Sequence, residues 1–196
     1  MPEPTPPSPA LHEHATTGRG ADGLGLWALV REDYAAHGRD WTRPGFRAVA
    51  IYRFGVWRMR LPGLLRAPLS VLYRCLYRRA RNHYGIELPY NAKVGRRLVI
   101  EHQHGVVIHG MCVVGDDCTI RQGCTLGNKT LERVYDAPIL GDRVSVGAGA
   151  KLLGAVRIGD DAQIGANAVV VCDVPAGAVA VGVPAVIKER PGDPCA

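Results

Sequence analysis

The sequence predicts a mostly β protein, a parallel β-helix of hexapeptide repeats preceded by a short α-helical N-terminal region. Three observations predict it. Ile108, Val114, Ile120 and Leu126, then Leu140, Val146, Leu152, Ile158, Ile164 and Val170, recur at six-residue steps within each set. Glycine follows at once in Val114-Gly115, Leu126-Gly127, Leu140-Gly141, Val146-Gly147, Ile158-Gly159 and Ile164-Gly165. A small or β-branched residue stands two positions before most of these aliphatics, among them Cys112, Cys118, Cys124, Val144, Ala150, Ala162 and Ala168. A period of six fits neither an amphipathic helix nor a hairpin strand. It fits a solenoid in which three hexads close one triangular coil, with the aliphatics stacked inside and adjacent coils pairing edge to edge.

Residues 1–22 are rich in Pro, Thr and Gly without periodicity and read as a disordered tail, with His12 and His14 incidental to function. Residues 23–84 read as helical. Leu26, Trp27, Leu29 and Val30 form a short apolar face, and Phe46, Val49, Ala50, Phe54 and Trp57 recur at three- and four-residue steps. Pro44 suits a first helical turn, whereas Pro62 and Gly63 separate this helix from a last one running to Tyr84. These helices are expected to cap the next module. Arginines crowd this region and its border, from Arg43 and Arg47 through Arg53, Arg58 and Arg60 to Arg96 and Arg97. Interleaved with apolar residues at helical spacing, they read as solvated helix faces and not as a nucleic-acid or membrane surface.

Residues 85–187 carry the hexads. The spacing stretches to fourteen from Val94 to Ile108 and again from Leu126 to Leu140, so the coil extrudes chain at both places. The first contains Glu101-His102-Gln103-His104-Gly105, and the second is the polar loop Asn128 to Pro138. Extruded loops on a rigid solenoid are where function concentrates, so both breaks point to one working region. Residues 188–196 read as a C-terminal tail.

Composition narrows the function classes. A net charge of +6 is too modest to argue for nucleic acid by itself, and no window approaches the roughly 20 apolar residues of a membrane span. Without a secretion signal, six cysteines read as reduced thiols in a cytoplasmic protein. Cys112, Cys118 and Cys124 fall on different sides of the triangle as small core residues, and no metal is expected.

The stretches GIELPYNAKVGRRLVIEHQHGVVIHG, IRQGCTLGN, GAGAKLLGAVRIGDDAQIGANAVVVCDVP and AVGVPAVI, with the helical lead-in RPGFRAVAIYRFGVWR, resemble the serine acetyltransferase branch of the hexapeptide acyltransferases. The resemblance covers about residues 43–188. It implies left-handed β-helices associated as trimers or as dimers of trimers, with acetyl-CoA as co-substrate and active sites between subunits. The family's general base falls on His102 and its partner carboxylate on Glu87, where aspartate is usual. Such a pair suits acetyl transfer, because an imidazole near neutral pKa takes a hydroxyl proton while a carboxylate fixes its tautomer. His104, on the same turn, is the rival for base or substrate binding. Glu101 corresponds to the residue that holds the substrate ammonium. The pantetheine arm of acetyl-CoA would run past the backbone at Gly127, Ala148 and Ala166, where small residues admit close approach. Where the family carries Arg-His-Pro near the end of the second loop, this chain reads Asp136-Ala137-Pro138. Its carboxylate clamp is missing there, and Arg133 is the nearby substitute. The acceptor thus stands open between L-serine, a serine-like amino alcohol and a sugar hydroxyl. The chain ends in Pro194-Cys195-Ala196 where the family's cysteine-synthase partner recognises isoleucine, so no such complex is expected.

Overall fold

The computed structural model describes residues 23–189. The expectations for residues 1–22, for His12 and His14, and for the chain beyond Glu189 lie outside the described residues. Three helices come first: α1 (Leu26–Ala36), α2 (Pro44–Arg58) and α3 (Gly63–Arg79). Pro44 occupies the first turn of α2, where its missing N–H costs nothing. α3 continues into a π-helical turn, Ala80–Tyr84, which stops at Gly85 in a left-handed conformation.

Fifteen short strands then wind a three-sided solenoid. On the first side lie β1 (Ile86–Glu87), β4 (Val106–Ile108), β7 (Thr125–Gly127), β10 (Lys151–Leu153) and β13 (Val169–Val170). The second holds β2 (Lys93–Val94), β5 (Val113–Val114), β8 (Ile139–Leu140) and β11 (Arg157–Ile158). The third stacks β3 (Val99–Glu101), β6 (Thr119–Arg121), β9 (Ser145–Val146), β12 (Gln163–Ile164) and β14 (Val179–Val181). All these pairings are parallel; only β15 (Val186–Lys188) returns antiparallel on β14. Lys188 therefore ends a strand.

The hexad aliphatics form the buried column, with Ile120, Leu126, Leu140 and Leu152 at 0% exposure. Cys112, Cys118 and Cys124 are buried on three different sides. Burial pushes the Cys112 and Cys118 thiols up to about 12. Registers of Val107↔Thr125 and Lys151↔Val169 give the plain coil of three hexads. The gap from Val94 to Ile108 resolves differently from the one after Leu126. Ile100 is buried and keeps the register, so the extra residues lie in the turn 102–105. The excess after Leu126 is the longer loop at 128–138.

The helices cover the open edge of the first coil. An uncovered edge leaves backbone groups unpaired and invites foreign strands. Arg53 Nη1 and Nη2 donate to the Val94 and Gly95 carbonyls at 3.0 and 2.6 Å, and the Asp33 carboxylate grips the same guanidinium at 2.8 and 3.2 Å. The Tyr52 hydroxyl donates to Ala92 O and accepts from Val94 N–H. Arg53 and Arg58 are buried at 3% and 5%, which corrects the reading of the whole arginine run as a solvated face. Arg58 lies between the Tyr73 and Tyr90 rings, 4.3 and 4.6 Å from their centroids. Arg53 is held inside by its carboxylate and carbonyl acceptors, and Arg58 by the two ring faces and the Ser70 hydroxyl.

Candidate active site

The corner between the third and first sides carries most of the predicted site. Its turns are stacked by backbone bonds: His104 N–H to Tyr84 O, Gly123 N–H to His104 O, Gly149 N–H to Gln122 O and Asn167 N–H to Ala148 O, all 2.8–2.9 Å. His102 and His104 therefore stand at the head of a column that descends past Ala148 to Ala166. Gly105, Gly123 and Gly149, at φ +72, +73 and +75, line this column. A Cβ at Gly105 would sit 3.2 Å from Gly123 Cα, and one at Gly149 would overlap the Asn167 amide oxygen. Glycine at these positions is thus what lets successive coils stack this closely at the corner. The hexad pattern does not single out these three glycines, but they lie two residues before Val107, Thr125 and Lys151, which are in register on successive coils, and that spacing could have found them.

His102 and His104 are exposed and both take positive φ, +63 and +75, a conformation that β-carbons disfavour and that surrounding bonds must hold. Glu101 ends β3 directly before them. Its carboxylate accepts from Arg121 Nε at 2.8 Å, because Glu101 and Arg121 are in register on neighbouring strands. Glu87 is half-buried on the first side, two residues beyond Gly85, which packs against the His104 backbone. Among the described residues no hydrogen bond joins the Glu87 and His102 side chains. Along the same face Lys151 Nζ reaches Thr125 Oγ1 at 3.2 Å and bonds the Gly123 carbonyl, bringing one cation to the column.

The second break lies elsewhere. The loop 128–138 leaves from Gly127 at the opposite end of β7, at the corner between the first and second sides. The two breaks therefore do not make one working region within a protomer. They are separated by one side of the triangle, roughly 15 Å of extended chain. Gly127 is buried at that second corner, where its carbonyl accepts from Gly154 N–H. Arg133 is exposed and its Nε pairs with Asp136 at 2.7 Å, so the predicted substitute cation is joined to the residue standing where the family has arginine. A groove of about 500 Å³ opens there, lined by Lys129, Arg133, Asp136, Gly154, Cys172 and Asp173 among others. Among the described residues no group of three or more His, Cys, Asp or Glu is placed to hold a metal ion.

Residues 137–172 match the family described as bacterial transferase hexapeptide (six repeats). Over 171 residues the chain is 42% identical to a serine acetyltransferase of Helicobacter pylori, an alignment covering 84% of this chain and 96% of the relative. Brucella abortus serine acetyltransferase in complex with coenzyme A superposes with a TM-score of 0.72 at 28% identity, covering 85% of this chain and 69% of that one. Soybean serine acetyltransferase complexed with serine superposes with a TM-score of 0.71 at 31% identity, over 83% and 69% of the two chains.

Proposed function

The chain belongs to the serine acetyltransferase family of hexapeptide acyltransferases, and on that premise we propose that it moves acetyl from acetyl-CoA to the hydroxyl of L-serine with His102 as general base. Membership makes it an acyltransferase that draws on acetyl-CoA. The observation that supports the residue assignment is the backbone column bonded through His104, Gln122, Ala148 and Asn167, with His102 and Ala166 in its first and last turns. A pantetheine arm laid along it would bring the thioester to the histidine end. There His102 would take the serine hydroxyl proton as the oxygen attacks the thioester carbonyl. Collapse of the tetrahedral intermediate expels the CoA thiolate, to which the imidazolium returns the proton. Glu87, two residues beyond the Gly85 that packs against His104, is the carboxylate assigned to orient the base.

The loop 128–138 and His102 sit at different corners, so a site using both needs two protomers. That separation supports the trimer implied by the sequence, with Arg133 and Gly127 of one copy facing His102 of the next. A second reading keeps the chemistry and changes the acceptor. Glu101 is paired with Arg121 and Arg133 with Asp136, so the two groups suited to a zwitterionic amino acid already have partners. A sugar or another neutral hydroxyl would need neither.

Free-thiol release from acetyl-CoA, measured with L-serine, homoserine and a sugar panel beside a His102→Ala variant, tests both readings. Serine-dependent release falling about 10²- to 10⁴-fold in the variant is expected. Release with a sugar alone replaces serine as acceptor. Undiminished release in the variant overturns His102 as base.

A further inference from the structure

His37 caps α1 and is fully buried, yet it belongs to neither the hexads nor the assigned site. Its Nδ1 lies 2.7 Å from the Asp33 carbonyl oxygen, which can only accept, so Nδ1 carries the proton. Nε2 is then a bare acceptor, and it receives the Ile100 backbone N–H at 3.3 Å. That N–H is on the open edge of β3: Val99 N–H already bonds inward to Cys118 O, and the next amide points the other way. Without His37 the Ile100 donor would be buried and unpaired. The next peptide is held sterically from the same open edge, since any side chain at Gly45 of α2 would overlap the Ile100 carbonyl oxygen. Ile100 is followed directly by Glu101 and His102, and the exit of that turn is pinned by His104 N–H on Tyr84 O at 2.8 Å. Helix-cap residues thus grip both ends of a turn whose two histidines occupy the left-handed region.

We propose that His37 is a positioning residue for His102: as neutral imidazole it fixes the Ile100 peptide and, through it, the turn that presents the base. The inference rests on the assignment of His102 given above. It has a built-in acid limit, because a protonated Nε2 turns from acceptor to donor and faces the Ile100 N–H as a like group. The charged groups around the ring are the Asp33 carboxylate on α1, itself held by Arg53 of α2, and Arg43 ahead of α2. α2 also presents the Phe46 ring, 5.9 Å from the imidazole, and β3 presents the Ile100 amide. Burial is the largest influence and lowers the imidazole below its ordinary 6.5, so the neutral acceptor persists through the neutral range.

The test compares full-length His37→Gln, whose side-chain oxygen replaces the acceptor, with His37→Phe, which fills the volume without one. The readouts are kcat, KM and pH profile with the accepted substrate, and amide hydrogen exchange at Ile100 and His102 by NMR. His37→Phe is expected to lower kcat about tenfold at little change in acetyl-CoA KM, the scale of losing one orienting hydrogen bond. It should also speed exchange at both amides, while His37→Gln restores both properties. Protonation of His102 gives every active variant an acid limb in kcat, and that limb should be steeper in the wild type, where His37 also takes a proton, than in His37→Gln. Equal behaviour of the two variants, or wild-type kcat and exchange in His37→Phe, overturns the proposal. Should the Phe variant not fold, the steepness of the acid limb decides: a wild type no steeper than His37→Gln overturns the proposal. Should the enzyme transfer acetyl independently of His102, the base assignment fails, and the exchange of the two amides still reports separately on the His37 clamp.

Discussion

Replacing Arg53 with Met should be among the most damaging single changes outside the active site. Asp33 is 0% exposed and Arg53 3%, so the carboxylate left behind has no route to bulk water. Breaking a buried pair from one side costs about 3–5 kcal/mol, because the uncompensated charge stays inside. Two further acceptors, the Val94 and Gly95 carbonyls, lose their donors at the same time. Met recovers part of this by filling the volume, so the expected net loss is about 4 kcal/mol, set against a whole-domain stability of about 5–15. The double variant Asp33→Leu, Arg53→Met removes both charges and should cost clearly less than the two single changes together, with a coupling of about 2 kcal/mol. Urea unfolding at one fixed protein concentration, followed by circular dichroism and tryptophan fluorescence, measures each value. An Arg53→Met loss under about 1 kcal/mol, or strict additivity in the double variant, would refute the account of the helices as a charged cover on the solenoid edge.

Folding stability should fall as pH drops below 6.5, since burial depresses His37 and the unfolded chain then binds the proton that the native chain refuses. The slope flattens once pH passes below the folded value, and it should vanish in His37→Gln; thermal melts between pH 5 and 8 would show both (the usual imidazole range). Ellman's reagent on the native protein should modify Cys75 and Cys172, which are exposed, while Cys112 and Cys118, pushed up to about 12 by burial, react only after denaturation. Mass-spectrometric mapping of modified peptides checks this. If serine is the acceptor and Arg133 holds its carboxylate, Arg133→Ala should raise the serine KM about tenfold or more and leave the acetyl-CoA KM unchanged, whereas Asp136→Ala, which releases the guanidinium, should lower it. Steady-state kinetics with each substrate varied separates these outcomes.

Much of the site was legible because the hexad period fixes a side of the triangle for every residue. Glu101, His102 and His104 stand out as an insertion in that period, and Ala148 and Ala166 fall two and three coils below them on the same corner. The same counting was available for Arg121, which pairs with Glu101 only because the coil between them has two extra residues. Arg53 gave no such signal. It stood in an arginine run at helical spacing, and its partner Asp33 lies on another helix.

The sequence alone determined the repeat, the order of coils, the inward cysteines and the residues that break the period, since each follows from local spacing and side-chain size. Only the tertiary structure decided which breaks share a corner and which cations are buried. It also decided how the helical cover grips the strand before His102. Those outcomes depend on groups far apart in the chain meeting at an open sheet edge, where the unpaired donors and acceptors of the first coil select their partners by position in space.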